Sequence, residues 1–246
     1  MKSLKCGKKI RVPSPIQNTI HNKALLIFEA QPTRRFLIAS WFTQTDFGLI
    51  YFDRAGEIRA TWDFNSHDNF IRLIAGLAFC EENALGYDPL VIRRNGEATD
   101  ILVKGDPLVV RNGEATDSDR YYHIIRCLFK AATLRGRGTV CWLVEKDSQN
   151  FVIKDTWADV GRQWQESGFL EMCKERNIRN VPYLEDAVEI SADSTHRYRD
   201  KIVGTDKIEK RAHRRLVLQP ICATLDKFAS KMELLCALVD QIKSEF

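Results

Sequence analysis

Short apolar runs open the chain after a basic stretch holding Pro13 and Pro15: KALLIFEA (23–30), RRFLIASWF (34–42) and LIYFDRAGEIRATWDF (49–64). Their β-branched and aromatic content predicts strands, and DRAG between two apolar-aromatic stretches predicts a hairpin turn. The period then changes. In DNFIRLIAGLAF (68–79), Phe70, Ile74 and Leu77 recur at helical spacing, as do Leu73 and Leu77, with Asp68 as a candidate cap. Residues 1–22 read as a loose basic arm and 23–87 as a small α+β region.

A near-exact duplication interrupts this pattern. DPLVIRRNGEATD (88–100) returns as DPLVVRNGEATD (106–117), one arginine shorter. Each copy reads as a short apolar strand, an Asn-Gly turn (Asn95-Gly96, Asn112-Gly113) and polar residues. Two copies are too few for a solenoid. The unit carries no clustered chemistry, so 88–120 reads as a duplicated surface connector at a domain boundary.

From 121 onward strands and helices alternate. YYHIIRCLFKAAT (121–133) predicts a strand, and 138–156 a hairpin turning at KDSQN. ADVGRQWQESGFLEMCKERN (158–177) predicts a helix capped by Asp159 and weakened by Gly161 and Gly168. YLEDAVEI (183–190) and RLVLQPI (215–221) predict strands, and the charged residues between them an exposed connection. SKMELLCALVDQIKSEF predicts a helix with a capping box, Ser230 and Glu233, whose stripe Met232, Leu235, Val239 and Ile242 faces a core. The fold class is α+β.

Composition narrows the setting. The chain has 246 residues, 44% hydrophobic, with a net charge of +4, enough apolar residues to bury a core and too little cationic excess for a dedicated nucleic-acid binder. Seven cysteines, at 6, 80, 127, 141, 173, 222 and 236, include no C-x-x-C pair. An odd, widely spaced set fits free thiols in a reducing compartment, hence an intracellular protein, cytoplasmic or nuclear. The longest apolar window, 70–80, is too short to span a bilayer and contains Arg72, so no membrane partner is expected.

The candidate chemistry lies in GRGTVCWLVEKDSQNFVIK (136–154). Glycines between two strands let backbone N–H groups approach phosphate oxygens, and a lysine on the following strand supplies a compact charge to them. Such a lysine needs a carboxylate. Glu166, Leu170 and Cys173 stand at i, i+4 and i+7 and share one helical face, so if Leu170 and Cys173 pack on the sheet, Glu166 points at it too. Which face Lys154 takes is left open by alternation, because Phe151, Val152 and Ile153 are all apolar. A lone G-x-G is more often a simple turn. The ordered set of strand, glycine loop, strand, lysine strand, glutamate helix, two strands and a Gln-Pro linker is more specific.

At these residues the chain resembles the fungal-type protein kinase domain, a divergent branch of the eukaryotic protein kinases. The resemblance is carried by LIYFDRAG (49–56), ENALGYDP (82–89), residues 136–157 and HRRLVLQP (213–220). It implies a protein-kinase-like N-lobe, an antiparallel sheet with one helix, and the start of the C-lobe helices over 121–246. It implies ATP as cofactor and a protein as substrate, phosphorylated on serine or threonine. Gly136 and Gly138 would cover the phosphates. Lys154 would contact them and pair with Glu166. Val152 and Leu143 would wall the adenine, Leu218 would be the gatekeeper, and Gln219, Pro220 and Ile221 the hinge.

The chain departs from the family pattern in two ways. Cys141 stands where the third glycine of G-x-G-x-x-G belongs, and nothing after the glycine loop resembles H-R-D-x-x-x-x-N or D-F-G; the one D-F-G triplet, Asp46-Phe47-Gly48, precedes that loop, out of the family's order. The resemblance places those residues after the helix that ends here. The catalytic Asp and the Mg²⁺ ligands are therefore expected outside this chain, and 1–246 alone is expected to be inactive. The alternative is a non-catalytic, pseudokinase-like interaction module. A nucleic-acid protein using the basic arm is disfavoured, since aromatics do not interleave with the cations.

Overall fold

A computed structural model describes residues 14–104, 106–111, 114–116, 119–163, 165–199, 209–222 and 227–243. Helix α1 (Ser14–Ala30) comes first, followed by β1 (Phe36–Phe42), β2 (Asp46–Asp53) and β3 (Gly56–Asp63), an antiparallel meander in that order. Helix α1 corrects two expectations. KALLIFEA is helical rather than a strand, and 14–22 forms the helix's first half rather than a loose arm; residues 1–13 of that arm lie outside the described residues. A short unbroken apolar run reads equally as strand or helix. The deciding residues are Ile20, Ala24 and Phe28, one stripe at four-residue spacing, buried on Leu37, Trp41, Ile50 and Phe52.

The DRAG hairpin forms as expected, with β2 and β3 in register from Asp46↔Asp63 to Asp53↔Gly56. Helix α2 (His67–Phe79) follows. Its N-cap is Ser66, not Asp68, which stands inside the first turn. Phe70 packs against Phe42, Phe47 and Phe64, and Leu73 is the buried residue, while Ile74 remains exposed.

The duplicated segment forms two hairpins of different standing. The first copy supplies β4 (Val91–Arg94) and β5 (Glu97–Val103); the second supplies β6 (Asp106–Arg111) and β7 (Glu114–Thr116), a separate two-stranded sheet. Asn95 and Gly96 both take positive φ, 53° and 84°, the geometry a tight two-residue hairpin demands. The first copy is not a surface connection. It joins the main sheet and buries Val91, Ile101 and Val103. Only the first copy continues into ILV; the second runs into Ser118 and Asp119.

The main sheet has seven antiparallel strands in the order β11-β12-β10-β9-β8-β5-β4. Its remaining members are β8 (Arg120–Lys130), β9 (Val140–Lys146), β10 (Gln149–Asp159), β11 (Tyr183–Ser194) and β12 (Arg211–Gln219). The β9–β10 turn is Asp147-Ser148, both at positive φ. Strand β10 runs through Asp159, so the predicted helix over 158–177 shortens to α3 (Glu166–Glu175). Asp159 caps nothing there; its Oδ1 accepts from the Gly161 N–H at 2.9 Å in a turn. The charged stretch 191–214 is not wholly a connection. β11 extends to Ser194, α4 (Thr195–Arg199) follows, and β12 begins at Arg211.

Helix α5 (Lys231–Lys243) has the expected box: the Glu233 N–H donates to Ser230 Oγ at 3.1 Å, and Glu233 Oε2 accepts from the Ala229 N–H at 2.6 Å. Its stripe does not face a core, since Met232, Leu235 and Val239 are all exposed; the Ile242 side chain lies outside the described residues. Capping requires only local residues, whereas burying the stripe requires a neighbour. Among the described residues no helix is long and apolar enough to cross a membrane.

Candidate functional site

Strand β10 divides the sheet into two unlike faces. Cross-strand partners share a face, so the register assigns the residues. Val152 lies opposite Leu143 on β9 and Leu218 on β12; Lys154 lies opposite Cys141 and Leu216. The intervening residues Phe151, Ile153, Asp155 and Trp157 point the other way, into the main core with Val144, Trp142, Val140 and Val217. This settles the face of Lys154 that alternation left open.

The Lys154 face is covered in part by α3. Leu170 packs on Leu184, Leu216 and Leu218, with Val152 and Ala187 at the margin. Leu170 and Cys173 are buried, which meets the condition on which Glu166 is expected to point at the sheet. Glu166 stands at the first turn of α3, where its Oε1 accepts from Lys154 Nζ at 2.5 Å. The pair is not deeply buried: the side chains are 25% and 41% exposed. Burial pushes the thiol of Cys141, the cross-strand neighbour of Lys154, above its ordinary range, against the pull of the Lys154 charge.

Leu143, Val152 and Leu218 thus form one apolar row, and Lys154 with Glu166 stands one row further along. Leu143 and Val152 are half-buried and Leu218 buried. Gln219 ends β12, its Nε2 donating to the Asn150 carbonyl at 3.1 Å, and Ile221 is exposed just beyond.

The glycine loop is not brought to Lys154 in the same way. Gly138 is buried at φ +48°, and a Cβ there would overlap the Arg54 guanidinium. The Gly136 N–H donates to the Arg54 carbonyl at 2.9 Å. Arg54 belongs to the DRAG turn; its Nη1 donates to the Thr133 carbonyl at 2.6 Å and its guanidinium lies 4.4 Å from the Phe28 ring. Burial pulls its pKa down to about 10, opposed by Asp53, so it stays charged at neutral pH. The room left by the missing Cβ of Gly138 is therefore taken by an arginine of the same chain. Gly136 has open space around its own Cβ position at φ +116°.

The opposite face holds a second constellation that sequence reasoning missed. Arg215, fully buried, donates from Nε to Asp155 Oδ1 at 2.7 Å and from Nη2 to Asp88 Oδ2 at 2.8 Å. Its Nη1 donates to the Leu102 carbonyl at 3.1 Å. Leu102 is on β5, three strands beyond the neighbours of β12, so the sheet curls around this arginine. Burial alone would raise the Asp155 carboxyl; Arg215 and His213 outweigh it and hold the group well below the usual carboxylate range. His213 stacks on Trp157 at 4.8 Å between ring centroids. A second buried pair, Arg199 with Asp53 at 2.5 Å, ties α4 to the DRAG hairpin. HRR and DRAG were visible in the sequence as a basic stretch and a turn, but nothing local marks either arginine as buried.

An antiparallel sheet with a lysine strand, a glutamate helix packed on its accessible face and two further strands is the element plan expected of a kinase-like N-lobe. The family model described as fungal protein kinase matches residues 13–207 and 191–245, so the chain belongs to that family. No curated protein and no solved structure gives a significant match.

Proposed function

We propose that this chain carries the nucleotide-binding face of a serine/threonine protein kinase, with ATP as the ligand and a protein as the eventual phosphate acceptor. The observation that carries the reading is the Lys154–Glu166 pair at 2.5 Å, set one row beyond the apolar strip Leu143–Val152–Leu218. The strip suits one side of a flat purine ring, and the backbone of Gln219 and Ile221 is at hand for its polar edge. Lys154 would offer its ammonium to the phosphate oxygens while Glu166 holds the side chain in place. The glycine loop fits less well, because Arg54 occupies the space beside Gly138. Among the described residues no group of three or more His, Cys, Asp or Glu could hold a metal, so no residue here is assigned to Mg²⁺.

Phosphoryl transfer also needs a group to orient the attacking hydroxyl. With no H-R-D sequence in this chain, and its one D-F-G triplet, Asp46–Gly48, on β2 ahead of the glycine loop, 1–246 would bind without transferring. A non-catalytic interaction module is the second reading, favoured by Arg54 filling the glycine loop. Labelled ATP, Mg²⁺ and a generic protein acceptor test both. Background labelling, equal to a Lys154→Ala control, together with weak saturable ATP binding that the substitution removes, supports the first reading. ATP binding that is absent from the start supports the second. Labelling that disappears in the Lys154 variant contradicts the inactivity of the chain.

A further inference from the structure

Strand β1, FLIASWF, is one edge of the three-stranded meander, with β2 as its neighbour. An edge strand presents a row of unpaired N–H and C=O groups, which proteins ordinarily blunt with a charge, a proline, a bulge or a covering segment. β1 contains no charged residue, proline or glycine, and its register with β2 runs from Phe36↔Asp53 to Phe42↔Phe47 without a shift.

Only part of this edge is open. The Thr43 N–H donates to the Asp46 carbonyl at 2.8 Å across the β1–β2 turn. By alternation Leu37, Ala39 and Trp41 bond to β2, while Phe36, Ile38, Ser40 and Phe42 turn their backbone groups outward. The chain covers the first of these itself. The Arg35 N–H donates to the Gly86 carbonyl at 2.7 Å, and a Cβ on Gly86 would stand 2.0 Å from the Phe36 carbonyl oxygen. The outward groups of Ile38, Ser40 and Phe42 have no backbone partner among the described residues. Ser40 is the middle of the open stretch.

Apolar side chains flank the stretch on both faces of the sheet. Helix α1 runs antiparallel to β1 on one face: Arg59, in the Ile50–Ala39 row, donates to Gln17 at 3.1 Å, and His21 meets Phe52, in the Leu37 row. Between α1 and the edge lies a groove of about 560 Å³, which Ile16 and Ile27 line from the helix. On the other face Phe42 is 46% exposed beside Phe70 of α2, and Ile74, one turn further along that helix, is 44% exposed. Lys23 is the one charged residue lining the groove.

We propose that this edge is the contact between two copies of the chain, with β1 of each pairing antiparallel across a two-fold axis at Ser40 to give one six-stranded sheet. In that register the strand is complementary to itself. Ile38 of each copy faces Phe42 of the other, and the two Ser40 residues face each other. Ile16, one residue before Gln17 and so near the Ser40 row, comes close to the axis, while Lys23, toward the Leu37 end, is carried away from its counterpart. Charge selects the occupant. A groove lined by a single lysine offers no carboxylate to the basic residues 1–13 and no cation cluster to an acidic peptide, and an apolar second copy needs neither. A standard interface takes ~800 Å² from each partner, more than the open stretch alone provides, so the flanks contribute and the dimer is expected to be weak and concentration-dependent. The nucleotide reading is independent of this contact, since Lys154 stands in the other sheet.

Sedimentation velocity on the full chain over a concentration series tests the proposal. Native protein should pass from monomer to dimer with no larger species, because the two-fold contact uses both open edges. Ile38→Lys places a charge on the edge, and Ser40→Pro removes an outward N–H without touching the ladder to β2. Each should stay monomeric about 10-fold above the native midpoint concentration, with thermal melts checking that both fold. Ile92→Lys, on edge strand β4 of the main sheet, should dimerise as the native chain does. Under mild oxidation Ser40→Cys should lock into a covalent dimer that the native chain does not form, because paired residues stand ~5.5 Å apart at Cα. A native chain that stays monomeric, a dimer that neither edge variant weakens, growth beyond the dimer, or a dimer that Ser40→Cys does not lock would overturn the proposal. A chain that dimerises only once residues 1–13 are removed would overturn it too, and would assign the groove to that segment.

Discussion

Lys154 and Asp155 are consecutive residues of one strand, each bonded to an opposite charge, and the two ion pairs differ in almost every other respect. Asp155 points into the core, where Arg215 joins it to Asp88, 127 positions from that arginine in sequence, with all three side chains nearly excluded from water. Lys154 points to the other face and meets Glu166 only 12 residues on, with both groups within reach of solvent. A buried charge network is costly to break because the surviving partner is stranded. A half-exposed pair contributes little to folding, and its ammonium remains free to be shared with a ligand. One face of β10 holds the fold together, and the other carries the proposed nucleotide site.

The largest expected effect comes from breaking the buried side. Arg215→Ala strands two carboxylates and should cost about 3–5 kcal/mol or more, read as a lowered denaturant midpoint or an insoluble product. A variant as stable as the native chain would mean that Asp88 and Asp155 reach water.

Gly138→Ala comes next and sharpens the assignment of the glycine loop. At φ +48°, with Arg54 where the Cβ would go, the substitution should cost roughly 1–3 kcal/mol in a thermal melt. A phosphate-cradling glycine would instead lose ATP binding with the melt unchanged.

Acid separates the faces by titration. The folded pKa of Asp155 lies below its unfolded value of about 3.9, so the unfolded chain takes up the proton more readily. The stability this group contributes is present above about pH 4 and lost as pH falls through the folded value. Melts at descending pH should show that loss, and Asp155→Asn, already weakened at neutral pH, should show a shallower one. An acid slope identical in both would remove Asp155 from the account.

The smallest effect on folding belongs to Lys154→Ala. With both partners part-exposed, the loss should be about 0.2–1 kcal/mol by denaturant titration. A larger loss would make the pair structural.

The two faces were unequally legible. The Lys154–Glu166 pair could be anticipated because Glu166 shares a helical face with Leu170 and Cys173, a relation written within eight residues. The Arg215 network could not. Charged residues ordinarily mark solvated faces, so HRRL read as the edge of an exposed connection, and Asp88 as the first residue of a repeated turn unit. Partners so far apart in sequence are disclosed only by the register of the sheet. Arg54 escaped for the same reason, its turn being plain in DRAG and its destination beside Gly138 not. Helix α1 was misread because Ile16 and Ile20, which extend its stripe, stood in a stretch dominated by its basic and proline-containing neighbours.

The division of labour between the faces is tested most directly by paired measurements on Lys154→Ala: equilibrium ATP binding and the denaturant midpoint of the full chain. ATP binding is expected to be weak in the native chain and lost in the variant, while the midpoint moves by no more than the ~1 kcal/mol of a part-exposed pair. ATP binding that survives the substitution, or a midpoint that collapses with it, would contradict the account.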